Sequence, residues 1–193
     1  MPLAKGEALI KLILSNENMA IETPEYKLIS KQEGFEVRRY SDMVIATTKV
    51  QADYKNSTTS GFRRIASYIF GGNDKQMKIA MTAPVISDCP SEGLQSYNIS
   101  FVVPKEHSME DLPKPNTSQV SIQRESLGEA AVLSFGGWAT EARSLNYQKK
   151  LLALINKQGL KHKRGFMIAQ YNSPWTLPPL RKNEVMVRVL SAS

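Results

Sequence analysis

Hydrophobic and polar residues alternate along much of this chain, and twice the alternation gives way to a longer period. Between Tyr26 and Val50, "YKLISKQ", "FEVRRY" and "VIATTKV" carry partial period-two patterning, with Gly34 at a turn. They predict two strands, the second extended after a break at Ser41-Asp42. In "NSTTSGFRRIASYIFGG" the period lengthens. Phe62, Ile65, Ala66 and Ile69 fall on one face, serine and threonine offer N-caps, and Gly71-Gly72 supply a stop. That pattern predicts a short amphipathic helix. "MKIAMTAPVIS" and "YNISFVVP" then read as strands, with "SDCPSEGLQS" as the loop between them.

The polar, proline-bearing stretch "KEHSMEDLPKPNTS" reads as a connector, and after it the same order returns. "QVSIQRES" and "AAVLSFGGWA" are expected strands around Gly128. "TEARSLNYQKKLLALINKQG" is an expected helix that Gly159 stops. Its apolar face is Leu145, Leu152 and Ile155, widened by Leu151 and Ala142. "GFMIAQYNSPW" and "NEVMVRVL" are the closing strands, with Pro174, Pro178 and Pro179 in the loop between them. The repetition is one of order rather than of letters. It predicts an α+β domain in which two pseudo-repeated βαββ units form a distorted antiparallel β-barrel with two flanking helices. A barrel also leaves few free strand edges. The expected organisation is an N-terminal extension over residues 1–21 and a single domain over 22–190, with half-repeats at about 22–105 and 117–190.

Composition narrows the function classes. The chain has 193 residues, 41% of them hydrophobic, as in soluble globular domains. A formal charge of +7 favours anionic partners, although most of these charges read as a solvated surface. The lone Cys89 rules out an intrachain disulfide and fits a reducing compartment, so a cytoplasmic location is expected. No stretch approaches the roughly 20 apolar residues that span a bilayer. The leading "MPLAKGEALIKLILSNENMA" is interrupted by Lys11 and reads as a short helix packed on the body. An organelle-targeting role for that segment stays open.

Candidate chemistry is sparse. No phosphate loop, dinucleotide fingerprint, metalloprotease motif or nucleophile elbow occurs, so no enzymatic activity is expected. Two histidines and one cysteine make a zinc cluster implausible. Met77 and Met81, four residues apart, read as core filler before they read as ligands. The basic run "KQGLKHKRG" closes the second helix, where it suits the macrodipole. Without stacking aromatics beside it, it does not indicate nucleic-acid binding. The first helix is more suggestive, because Arg63 and Arg64 flank its apolar face. Such a face could hold a flat, apolar ligand with acidic arms, the arginines pairing with carboxylates. The pattern alone favours packing of that face on the sheet.

"GFRRIASYIFGGNDKQMKIAMTAPV" closely resembles the SOUL/haem-binding protein family, with its aromatic-ended helix, glycine break, N-[DE]-K turn and "M-x-M-T-x-P-V" stretch. "FEVRRY", "SFGGWATEA" and "AQYNSPWTLPPLRKNEVMVRV" resemble further family motifs in the same order, with Met186 where tryptophan is usual. The match covers about Glu22 to Leu190. The resemblance implies the barrel fold above and binding of haem or a related tetrapyrrole without established catalysis. The groove it implies includes the first helix, which here offers Phe62, Arg63, Arg64, Ile65, Ala66 and Ile69. The family's helix methionines are absent, and Thr59 and Ser67 stand where basic residues are expected. Arg39 stands where one branch has a histidine proposed as axial ligand, and a guanidinium does not ligate iron. Any axial ligand would then be another group, with His107, Met81, Tyr171 and Cys89 as candidates. Weak, reversible haem binding by a monomeric carrier, buffer or sensor is the expectation. A small-molecule module of the drug-sensing type and a protein-interaction module acting through "LLALINKQGLKHK" are the alternatives.

Overall fold

The computed structural model describes residues 21–190 apart from 92, 94 and 174. The expected N-terminal helix lies outside these described residues. Nine strands form one antiparallel sheet: β1 (Tyr26–Gln32), β2 (Phe35–Tyr40), β3 (Met43–Gln51), β4 (Val85–Asp88), β5 (Ser96–Val102), β6 (Ser121–Glu125), β7 (Glu129–Gly136), β8 (His162–Gln170) and β9 (Lys182–Val189). Helix α1 (Tyr54–Ile69) follows β3, and helix α2 (Glu141–Lys157) follows β7. The strand order is β1-β2-β7-β9-β8-β4-β5-β3-β6. With β1 set aside, that order is symmetric about the β8–β4 pair. The first strand of each half adds to the second strand of the other, β2 to β7 and β6 to β3.

Register decides what each face holds. Ile168 stands opposite Ser87, Ser87 opposite Ile99, and Ile99 opposite Thr48. This row lies on the face that both helices cover, because directly paired residues share a side of the sheet. Leu151 and Ile155 of α2 pack there with Val37, Leu133, Ile168 and Val187. Ile65 and Ile69 of α1 pack with Ala46, Ile99 and Phe101. The neighbouring row, Ala169, Ile86, Ser100 and Thr47, lies on the opposite, inward face. Tyr40, Leu127, Val132 and Met186 form a third apolar cluster with Ala169, against which Met43, Ile86 and Met167 pack. Arg188 of β9 and Glu125 of β6 form an ion pair across that face, drawing the curled sheet together.

Helix α1 begins earlier than its serine and threonine content predicts. Asp53 is the N-cap, and its side chain accepts from Asn56 N at 2.9 Å. The hydroxyls of Thr58 and Thr59 lie inside the helix and donate back to Tyr54 O and Lys55 O at 3.0 and 2.9 Å. The buried stripe runs through Ser57 and Gly61 as well as Ile65, Ala66, Tyr68 and Ile69. A Cβ on Gly61 would lie 2.7 Å from Ile99 Cγ1 and 2.8 Å from its Cβ, so this glycine sets the approach of α1 to β5. Gly61→Ala gains about 1 kcal/mol of helix propensity. Overpacking against the buried Ile99 costs roughly 1–3 kcal/mol. A lower melting temperature in a thermal scan is expected, and a rise would show that Ile99 yields freely.

After α1 the chain is not a strand until Val85, which corrects the longer strand predicted from Met77. Asn73 accounts for the difference. Its amide donates to Tyr68 O at 2.9 Å and Met77 O at 2.8 Å, and its carbonyl accepts from Met77 N at 2.9 Å. The backbone of this turn is satisfied by a side chain instead of a ladder. Gly71 adopts φ +103°, and a Cβ on Gly72 would sit 2.5 Å from Ser67 O. Met77 and Met81 both pack against the α1 cluster.

Candidate functional site

The six predicted residues of α1 divide by direction, because successive helical positions turn by about 100°. Ile65 and Ile69 are buried on the sheet side and hold the helix on β3 and β5. Ala66 is buried at the shoulder of the helix, and Phe62, four residues before it, is half-buried. Arg63 is exposed. Arg64 turns to the other shoulder, where Nη1 donates to Lys49 O at 3.0 Å and Thr48 Oγ1 at 3.4 Å. Phe62 and Arg63 are thus the less buried neighbours on this part of the helix, whereas the half-buried Phe70 packs against the α1 cluster. This is a strip on the surface rather than a pocket.

The inward face offers a different site. A cavity of about 540 Å³ opens there, lined by Met43, Ile45, Ile86, Met167, Lys49 and Arg188 among others from both halves of the sheet. Its apolar floor continues the third core cluster, and its walls carry hydroxyl and amide groups. Ser100 Oγ donates to Thr47 Oγ1 at 2.9 Å, and Asp88 Oδ2 accepts from the backbone and side chain of Asn98 at 2.7 and 2.9 Å.

Behind the third cluster is a charge network that sequence reading missed. Glu184 is fully buried. It accepts from Arg38 Nη1 at 3.0 and 3.1 Å, Tyr171 Oη at 2.6 Å and Ser134 Oγ at 3.3 Å. Arg38 also pairs with Glu36 and lies 4.4 Å over the Tyr26 ring. Burial acts to lower the pKa of Arg38, but the Glu184 carboxylate and the Tyr40 and Glu36 contacts outweigh it, so the net shift is upward. Arg38 and Glu184 are 146 positions apart, and nothing local in either segment announces the pair.

The candidate iron ligands are dispersed. Arg39 is exposed on β2 and ion-pairs with Glu129. Tyr171 is committed to Glu184, and burial and that carboxylate push its phenol well above its usual range. The Cys89 thiol is buried against Gln148 Oε1 at 3.2 Å, and burial and Asp88 push it up to about 12. It stays a neutral thiol at physiological pH. His107 is half-buried beside Glu106, at the rim of a cleft of about 310 Å³ lined also by Glu22, Asp42 and Arg124. None of these groups lies on α1. Among the described residues no group of three or more His, Cys, Asp or Glu could hold a metal ion, and no helix is long and apolar enough to cross a membrane.

On α2 the buried residues are Ser144, Leu151 and Ile155, while Leu145 and Leu152 are half-buried and Ala142 is exposed. The apolar side of "LLALINK" is thus committed to the core.

A family model described as "SOUL heme-binding protein" matches residues 21–188. The chain is 34% identical over 176 residues to heme-binding protein 2 of Homo sapiens, covering 86% of this chain and 85% of that one. It is 31% identical over 174 residues to heme-binding protein 1 of Xenopus laevis, covering 86% and 90%. Among solved structures, the EcmrR C-terminal domain superposes with TM-score 0.60 at 9% identity, covering 86% of this chain and 99% of that one. A hydrolase from Listeria innocua superposes with TM-score 0.53 at 12% identity, covering 94% and 98%. At these identities the structural likeness concerns the fold alone.

Proposed function

The chain belongs to the SOUL heme-binding protein family, and from that premise we propose that it is a non-enzymatic haem or tetrapyrrole carrier, buffer or sensor. The observation that carries the site assignment is the outward strip of α1. Phe62 offers apolar area to one porphyrin face, and Arg63 stands beside it for a propionate. Ile65 and Ile69 support the strip from beneath. Arg64, anchored on β3, stiffens the shoulder. Bound haem brings its own iron chemistry, and these residues bind and orient it. With Arg39 paired to Glu129 and no ligating side chain on the strip, the binding is held by apolar contact and one charge. That suits a ligand that is passed on.

Titration of the purified protein with hemin tests the reading, with a non-binding protein alongside. A saturable Soret change at one haem per chain is expected. Phe62→Ala should weaken it about tenfold. Arg63→Glu should weaken it a few-fold, because exposed ion pairs contribute little. No saturable change would overturn haem binding. Undiminished binding by both variants would move the site off α1.

The inward cavity favours a second reading, a small-molecule module of broader specificity. A module for organic cations would present a buried, uncompensated carboxylate. Glu184 is buried, but Arg38 neutralises it. A lipophilic cation is therefore expected to leave the hemin titration unchanged, and displacement of hemin by it would support this second reading.

A further inference from the structure

Both tryptophans of the chain, Trp138 and Trp175, are exposed, and they lie at one locality. The described residues of the β8–β9 connection, 171–173 and 175–181, are pinned there by Arg181, itself buried. Its guanidinium sits 3.6 Å over the Trp138 ring. Its Nε donates to Thr176 O at 2.9 Å, and its Nη2 to Ser173 O at 3.1 Å. Pro178 and Pro179 open a single 3-10 turn, closed by Leu180 N donating to Leu177 O at 3.0 Å. The consequence is a braced loop that holds large apolar side chains in water. Trp175 is 67% exposed, Leu177 66% and Leu180 70%, with Trp138 beside them at 48%. An ordinary loop tip carries polar residues, and a cluster of this kind marks an interaction surface.

Shape and charge select the occupant. These side chains are large, apolar and mostly exposed, so they suit a soft interface that they can enter. Tryptophan and leucine on one side with cations at the margin is the composition of interfacial membrane anchors. Arg143, whose Nη2 donates to Gly136 O at 2.7 Å, lies beside Trp138 in the chain's fold, and Lys182 stands over the Tyr171 ring at 4.3 Å. In residues 136–144 and 171–184 the charged residues are Arg143, Arg181 and Lys182 against Glu141 and Glu184, and Glu184 is buried, paired with Arg38 and 3.4 Å from Lys182. The whole chain carries +7. Anionic headgroups complement both the local and the overall charge.

We propose that this braced loop tip is a bilayer-docking surface, which places Trp175, Leu177 and Leu180 at the headgroup–acyl boundary of an anionic membrane. The docking is peripheral and reversible, and it stands independently of haem binding.

Because the chain has only Trp138 and Trp175, its tryptophan emission, excited selectively over tyrosine, reports on this patch alone. The full chain is mixed with vesicles of phosphatidylcholine and phosphatidylserine, with and without brominated acyl chains. A blue shift, quenching by the brominated chains and co-sedimentation are expected, weaker on phosphatidylcholine alone. The double variant Leu177→Ser with Leu180→Ser should bind about tenfold or more weakly. Trp175→Phe should keep binding while reducing the shift. The substituted side chains are solvent-exposed, and circular dichroism confirms that each variant is folded. The proposal is overturned by unchanged emission on the mixed vesicles, or by full vesicle binding in the double variant. A blue shift that grows with protein concentration in the absence of lipid, with a dimer in sedimentation velocity, would also overturn it. In that case a second copy covers the patch.

Discussion

Glu184→Gln is expected to lower the unfolding free energy by roughly 3–5 kcal/mol, the usual cost of breaking a buried ion pair from one side. The carboxylate is fully buried and gathers Arg38, Tyr171 and Ser134 at once. Removing its charge leaves the Arg38 guanidinium, also buried, with Glu36 as its remaining carboxylate partner. The amide further turns a donor toward Tyr171 Oη, which already points its proton at this position. Urea unfolding gives the measurement, as a lower midpoint at unchanged slope. The double variant Arg38→Leu with Glu184→Leu should recover much of the loss, since it leaves no buried charge unmatched. A single variant within about 1 kcal/mol of wild type would mean that water or Lys182 screens the site, contrary to its burial.

This network shows where sequence reading stops. The central strands were legible because they have an apolar side facing the helices, as in Val185 and Val187 of β9. The other side of the same strand, Glu184, Met186 and Arg188, reads as mixed and half solvated. Only the curl of the sheet encloses it, and that curl arises from pairing between segments far apart in the chain, such as Glu36 with Val132 and Val85 with Gln170. The buried stripes of the helices were blurred for a related reason. Gly61, Ser57 and Ser144 are buried because the backbone comes close to the sheet, and small side chains carry no hydropathy signal. Phe62 and Ala142, which a wheel based on hydropathy draws inward, are half-buried and exposed. On α1, the distinction between the supporting Ile65 and Ile69 and the outward Phe62 and Arg63 required the structure. Arg64 could not have been placed from sequence, because its partners are on β3.

The family motif around Asn73 has a physical basis in its backbone. The residues from Asn73 to Met77 make a turn. Asn73 closes the backbone and Gly72 gives way to Ser67 O, so Met77 and Met81 serve packing. The proposed α1 strip lies at the helical start of the same motif, ahead of this turn.

A second large effect is expected in alkali. Cys89 is raised from 9.0 to about 12, by burial and then by Asp88. Tyr40 and Tyr68 are raised from 10.0 to about 12, burial being the largest cause in both. Tyr171 moves in the same direction. In the unfolded chain these groups release their protons from pH 9.0 to 10.0 upward, whereas in the folded chain they keep them to about 12. Within that window the native state binds more protons than the unfolded state, so stability falls as pH rises. Below pH 9.0 the contribution is fully present. A rise of about two units on Tyr40 alone is worth roughly 3 kcal/mol, a large share of the stability of an ordinary domain. Urea midpoints measured from neutral pH to about 12 should stay level at first and then drop steeply. Tyr68→Phe loses the hydrogen bond to Pro113 O and with it one titrating group, so its curve should start lower and fall less. A midpoint that holds level through the whole window would show that water reaches these phenols, and the close packing of Tyr40 and Tyr68 would have to be abandoned.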